Sequence, residues 1–297
     1  MTSALSDREW GILLRRVSTG RCVPFVGAGA CHGALPLGGD IAREWAKEYH
    51  YPFTDDSDLV RVAQYLAVEF DPCTPKELIL ERFVRAESPD FHSPDEPHAV
   101  LAELPLPIYL TTNYDDFMVQ ALKGKYREPR RDYCRWNELT RMQPTVFERE
   151  PNYRPTPANP LVFHLHGHTD PNSLVLTEDD YLSFLASLQE PNLLPEPVRI
   201  ALASATSLIF LGYRLADWNI RVLLQGLRRL SQGLSNRDNL SVMVLLPPEG
   251  ADAECRRKLQ QDYMDKYYAA ASLKVYWGTA RDFCGELAAR WKAQSAK

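Results

Sequence analysis

Six short apolar runs punctuate the chain: Cys22 to Val26, Pro107 to Thr112, Leu161 to Leu165, Ser207 to Leu211, Ser241 to Leu246 and Leu273 to Trp277. Each gives way to glycine or polar residues and then to a helical pattern. An uninterrupted apolar run leaves no polar face for water, so it suits a strand covered on both sides, as in a parallel sheet. Strands alternating with helices predict an α/β fold, a doubly wound parallel sheet of about six strands. The N-terminus reads as a helix, with Ser6 and Glu9 as a capping box and Trp10, Leu13, Leu14 and Val17 at helical spacing. From Ile41 to Glu103 the pattern is helical without a convincing strand, and Thr74-Pro75-Lys76-Glu77 gives an N-cap, a proline at N1 and a capping glutamate. The whole of 1–297 therefore reads as one domain: a core of about 21–40, 105–125, 160–178 and 205–285, and a helical insertion subdomain of about 41–104 with 126–159 and 178–204.

Composition narrows the function classes. A net charge of -5 supplies no positive field to hold a polyanion, so nucleic acid is not expected to bind directly. A local basic patch such as Arg127, Arg130, Arg131 and Arg135 is the exception left open. No run approaches the roughly 20 apolar residues of a membrane span, and the N-terminus lacks the order of a secretory signal, so a soluble, cytoplasmic protein is expected. The six cysteines, Cys22, Cys31, Cys73, Cys134, Cys255 and Cys284, include no C-x-x-C pair, which argues against a zinc ribbon and a thioredoxin-type motif, and most of them are expected to be small buried side chains.

Chemistry gathers at the ends of the apolar runs, where open α/β sheets bind ligands. Gly27, Ala28 and Gly29 lead to Cys31; such a loop lets backbone approach a ligand and offers N–H groups to a pyrophosphate, although a plain strand-to-helix turn looks the same. The G-x-G-x-x-G spacing is imperfect, with His32 at the third glycine, which disfavours a hydride-transfer enzyme. Thr111, Thr112, Asn113, Asp115 and Asp116 can orient ribose hydroxyls and a water, or cap a helix. His164, His166 and His168 surround Gly167. A metal on all three is disfavoured because a strand running through Gly167 is doubtful; one histidine with a pKa near neutrality, His166, suits a general base, and the other two read as structural. Gly212, Tyr213 and Arg214 are the ligand-contact candidates after the fourth run, while Asp217 can cap the next helix.

Taken in order, GAGAC, TTNYDD, HLHGH and LGYR resemble the sirtuin superfamily, and specifically the bacterial sirtuin-like NADases of antiphage defence, over about residues 21 to 283. The resemblance implies a Rossmann-like core and NAD as substrate, with no metal. Gly27, Ala28 and Gly29 would embrace the dinucleotide together with Cys31, Thr111, Asp115, Gly212, Tyr213 and Arg214; Asn113 would hold the nicotinamide ribose and attacking water, and His166 would be the base. Leu174 to Leu185 would be the usual following strand and helix. The chain departs from the pattern at Cys31, where serine is usual, at Thr112, where glutamine is usual, and at Tyr213 and Arg214, where small residues are usual. It also lacks the four-cysteine zinc module of deacetylating sirtuins.

The expected activity is cleavage of the bond between nicotinamide and ribose, releasing nicotinamide and ADP-ribose. Its unchecked action would empty the NAD pool, as in abortive infection. Control through a homo-oligomer, or through a partner such as a HerA-type ATPase or another defence sensor, is therefore expected, and no sensor domain is identifiable in the chain. Two other classes stay open: an NAD-dependent protein deacylase or ADP-ribosyltransferase, and a catalytically silent NAD- or ADP-ribose-binding assembly subunit.

Overall fold

One all-parallel sheet of seven strands organises the computed structural model, which describes residues 5–188, 190, 192–213, 240–247, 254–269 and 273–295. The strands are β1 (Cys22–Val26), β2 (Ile108–Thr111), β3 (Arg130–Tyr133), β4 (Leu161–His164), β5 (Ser207–Leu211), β6 (Ser241–Leu245) and β7 (Leu273–Trp277), in the spatial order β3-β4-β2-β1-β5-β6-β7. Without β3 this is the doubly wound order 3-2-1-4-5-6, with the topological switch point between β1 and β5. The described helices are α1 (Asp7–Ser18), α2 (Gly38–Glu48), α3 (Leu59–Glu69), α4 (Thr74–Val84), α5 (Pro97–Glu103), α6 (Phe117–Gly124), α7 (Glu138–Arg141), α8 (Val146–Arg149), α9 (Glu178–Ser187), α10 (Glu196–Ser204), α11 (Glu254–Ala269) and α12 (Ala280–Ser295).

Alternate residues of each central strand enter opposite cores, as the period of two requires. Phe25, Leu110, Phe163, Phe210, Met243 and Val275 pack under α8, α9, α10 and α11; Val26, Tyr109, Val162, Ile209 and Val244 pack under α1, α5, α6 and α12. Phe25 and Phe210 stack at the centre, 4.6 Å between rings, and each fully buried phenylalanine contributes about 1.5–3 kcal/mol. A separate core of Ile41, Trp45, Val62, Leu66 and Ile79 holds α2, α3 and α4 together and closes on Leu174 and Leu176. Those two leucines, with the part-buried Lys76–Asp180 ion pair (2.8 Å), fasten the helical insertion to the segment after β4.

Three sequence expectations change. The strand count is seven rather than about six, because β3 lies in the 126–159 stretch read as part of the helical subdomain. Its Arg130-Arg131-Asp132-Tyr133 sequence carries no apolar run: it is an edge strand paired only to β4, so one side stays polar. Leu174 to Leu176 are buried but form no strand, although α9 follows as expected. In α4 the N-cap is Cys73 rather than Thr74, and Asp71 accepts from the amides of Cys73 (2.7 Å) and Thr74 (3.2 Å). The capping box of α1 forms as expected between Ser6 and Glu9. The basic group is engaged within the fold: Arg127 donates to four backbone carbonyls, those of Ala102, Leu104, Leu106 and Pro157, while Arg130 pairs with Glu150, Arg131 with Asp116 and Arg135 with Asp132. No described helix is long and apolar enough to cross a membrane.

Candidate active site

Val26, Thr111, His164 and Leu211 stand level on β1, β2, β4 and β5. Backbone bonds carry this alignment one residue further, from Gly27 N to Leu211 O (2.8 Å), Thr112 N to Val26 O (3.0 Å) and Leu165 N to Thr111 O (2.7 Å). All four sequence motifs therefore leave the sheet at one height, at the carboxyl ends of four neighbouring strands. Parallel pairing in this register is what gathers residues nearly two hundred positions apart.

The glycines here serve first to interlock two loops. Gly212 has φ +78°, and a Cβ on it would lie 2.4 Å from Ala30 N and 2.5 Å from Gly27 O. A Cβ on Gly29 would meet Gly212 Cα at 2.9 Å, and Gly29 N donates to Gly212 O (2.9 Å). The element after β1 is a single 3-10 turn, Ala28–Cys31, not a long helix, and the amides of Gly29 and Ala30 are already spent within the fold. Ala28 is exposed at the loop's outer edge. Tyr213 folds back over Gly27 and is 8% exposed. Arg214 and Asp217 lie outside the described residues.

Asn113 sits at the head of a buried polar network. Thr111 Oγ1 donates to Val26 O (3.0 Å) and accepts from Asn113 N (3.0 Å), so this hydroxyl is committed to shaping the loop. Asn113 Nδ2 donates to Cys31 Sγ (3.2 Å), and the thiol donates to Asp115 Oδ2 (3.3 Å), while Asp115 Oδ1 accepts from Phe117 N (2.9 Å) at the start of α6. Burial, reinforced by the Asp115 carboxylate, pushes the Cys31 thiol well up, so Cys31 stays protonated and works as a donor and acceptor, the role a serine hydroxyl would fill. Behind it lie two residues that sequence reasoning missed: His98 Nε2, 3.9 Å from Cys31 Sγ, and Glu96, whose carboxylate meets His98 Nδ1 (2.7 Å) and accepts from Ala99 N (2.6 Å). The Glu96-Pro97 pair is legible as a helix start; that His98 then faces Cys31 across 67 positions is not.

The HLHGH segment breaks at Gly167, whose φ is +88° and where a Cβ would fall 2.1 Å from Ser173 O. The three imidazoles thus do not share a strand face. His164 Nδ1 bonds Asn113 O (2.8 Å), and its ring lies 4.3 Å from that of His168, whose Nε2 is 3.0 Å from Asp116 Oδ1. For Asp116, burial alone would raise the carboxyl, but His168 and Arg131 outweigh it and hold it below the usual carboxylate range. His164 and His168 thus link the TTNYDD and HLHGH loops.

His166 is 7% exposed and packs edge-on against Tyr181 (5.4 Å) and Phe184 (5.1 Å). Burial among these rings pushes its pKa down to about 3, which corrects the near-neutral value expected from sequence. Among the described residues two groups have ligand atoms close enough to hold a metal, Cys31–His98–Asp115 and Asp116–His164–His168. Members of the first already bond one another or Asn113, and Asp116 of the second is engaged by Arg131. Among the described residues no cysteine lies with a second one in such a group.

The profile of a family described as SIR2-like domain matches residues 107–268 of this sequence. Over 225 residues the chain is 26% identical to the NAD(+) hydrolase ThsA of Enterococcus faecium, covering 73% of this chain and 43% of that protein. It is 25% identical over 212 residues to the NAD(+) hydrolase ThsA of Acinetobacter baumannii (strain 532279), covering 69% of this chain and 38% of that protein. The chain thus matches less than half the length of these curated relatives.

Proposed function

Because this chain belongs to the SIR2-like domain family, we propose that it is an NAD hydrolase that cleaves the nicotinamide–ribose bond with Asn113 and His166. The observation that carries the reading is that Gly27, Asn113, His166 and Gly212 follow, within one or two residues, the level positions Val26, Thr111, His164 and Leu211 at the carboxyl ends of β1, β2, β4 and β5, the place where a doubly wound sheet receives a dinucleotide. Similarity to relatives named NAD(+) hydrolase supports it.

The chemistry follows from the two side chains. Asn113 is held from one end by Thr111 Oγ1 at its amide nitrogen and from the other by Cys31 at its carboxamide. Held so, its Oδ1 is free of rotational choice and can fix a ribose hydroxyl or the attacking water. As the glycosidic bond loosens, positive charge develops on the sugar and the water needs little activation. His166, with a pKa of about 3, is wholly in the neutral, proton-accepting form at neutral pH. An acid–base group works best with its pKa near the working pH, so a base this weak can take the proton only once charge developing on the sugar has acidified the attacking water. Ala28, Gly29 and Gly212 then border the dinucleotide, and NAD is substrate rather than resident cofactor. The cellular reading that goes with it is NAD depletion in antiphage defence, under control of self-assembly or a partner sensor such as a HerA-type ATPase.

Nicotinamide release from NAD, without any acetylated peptide, is the test. Wild type should release it, and Asn113→Ala and His166→Ala should each lose at least about 100-fold, the usual worth of a positioned acid–base group. Both variants remaining active would sink the proposal.

A further inference from the structure

The turn at Gly167 folds the chain so that His168 returns beside His164. Gly167 has φ +88°, and His168 N donates to Ser173 Oγ (3.0 Å), which fixes the turn. The two rings stand 4.3 Å apart, and one ligand atom from each of Asp116, His164 and His168 lies within 4.8 Å of the other two. Their neighbours decide where the protons sit. His164 Nδ1 bonds Asn113 O (2.8 Å), and a carbonyl only accepts, so Nδ1 carries the hydrogen and Nε2 a bare electron pair. That Nε2 has no hydrogen-bond partner, in a residue 1% exposed. A buried acceptor left bare costs stability, so a fold that keeps one calls for a reason. His168 bonds Thr169 Oγ1 through Nδ1 (3.2 Å) and turns Nε2 to the carboxylate, 3.0 Å from Asp116 Oδ1. Arg131 engages Oδ2 of the same carboxylate, which leaves Oδ1 to the cluster. In each of the three side chains one polar atom is held from outside and the other is left for a ligand, the arrangement by which proteins orient metal-binding imidazoles and carboxylates.

We propose that Asp116, His164 and His168 form a site for one divalent transition-metal ion, zinc above all, which clips the TTNYDD loop to the HLHGH loop. Two imidazoles favour zinc and its neighbours in the first transition row. With one carboxylate, itself shared with Arg131, the cluster offers too little oxygen and negative charge for magnesium or calcium. Three protein ligands leave the fourth tetrahedral position to water. The imidazoles are buried, but the Asp116 side chain is 34% exposed and gives the ion a way in. An ion on His164 Nε2 draws electron density from the ring and strengthens its Nδ1–H as a donor to Asn113 O, so it stiffens the backbone that carries Asn113. His166 lies on the short segment between the two histidine ligands and is held with them. The site goes beyond the hydrolase reading and does not depend on it, since it needs no dinucleotide.

The test is calorimetric titration of the chelator-treated, tag-free full chain with Zn²⁺ near neutral pH, with thermal unfolding followed in parallel. The expected result is one Zn²⁺ per chain and a Tm rise on the order of 5–10 °C at a Zn²⁺ concentration about 100-fold above Kd, with no response to Mg²⁺ at that concentration. Asp116→Asn and His168→Gln should each weaken Zn²⁺ by more than the about 10–100-fold that an outer-shell partner is worth. Cys31→Ser, which dismantles the other candidate cluster, and Cys73→Ser, which removes an exposed thiol, should keep the ion. Failure of the folded wild type to take up one Zn²⁺ overturns the proposal. So does binding that survives both Asp116→Asn and His168→Gln, binding lost in Cys31→Ser or Cys73→Ser, or an equal response to Mg²⁺. Asp116→Asn keeps the side chain's shape at a partly exposed position, so it decides the question if His168→Gln does not fold. No NAD enters the titration, so its outcome is separate from that of nicotinamide release.

Discussion

Gly212→Ala tests whether the interlock of the two glycine loops holds the site together. The residue sits at φ +78°, and the added methyl would lie 2.4 Å from Ala30 N, 2.5 Å from Gly27 O and 3.0 Å from Gly27 C. All three contacts are backbone, so no flexible side chain can yield. A left-handed conformation for alanine costs about 1–3 kcal/mol, and forcing atoms into a packed space costs about 1–3 kcal/mol more. About 4 kcal/mol in total, at about 2–4 °C per kcal/mol for a domain of this size, lowers the Tm on the order of 10 °C. The assay is thermal unfolding by circular dichroism, with Gly11→Ala as the control. Gly11 lies in α1 with nothing within 4 Å of its Cβ position, so alanine there gains about 0.5–1 kcal/mol of helix propensity and raises the Tm slightly. A Gly212→Ala protein melting within about 2 °C of wild type would refute the steric reasoning.

Cys31→Ala strands Asn113 Nδ2 and Asp115 Oδ2 in a buried pocket and is expected to cost about 1–3 kcal/mol in urea unfolding, whereas Cys31→Ser keeps a donor and an acceptor and stays close to wild type. Glu96→Ala removes the cap on Ala99 N and the partner of the buried His98, for a loss of about 2–4 kcal/mol by the same measurement. Stability also depends on pH through His164 and His166, both pushed down to about 3 by burial. Their folded pKa values lie below the unfolded value of about 6.5, so the unfolded chain takes up protons first. The contribution of these two groups is complete above about pH 7 and falls toward pH 3 by up to about 1.4 kcal/mol per pH unit for each histidine; His166→Gln should make the slope between pH 6 and 4 shallower in denaturant titrations.

Most of the fold was legible because a strand buried on both faces writes itself as an apolar run. Cys22–Val26, Ser207–Leu211 and Leu273–Trp277 have the boundaries that hydrophobicity alone assigns, and alternation with helices was enough to infer a doubly wound parallel sheet. The motifs at the strand ends were legible for the same reason: the apolar runs mark where the chain leaves the sheet, and the unusual residues follow at once. β3 was not, since an edge strand paired on one side needs no apolar run. Nor could the neighbours of Asn113 be read from the sequence. Cys31, His98 and Glu96 come together only because the 3-10 turn after β1 and the start of α5 pack against the same loop. Burial is likewise a property of the assembled fold, and it moved His166 from the near-neutral value of a histidine beside a turn to about 3. Residue type and local pattern determine which segments become strands and which carry chemistry. Parallel pairing brings Val26, Thr111, His164 and Leu211 level; that register, and the desolvation it imposes, belongs to the tertiary structure because it depends on contacts between residues far apart in the chain.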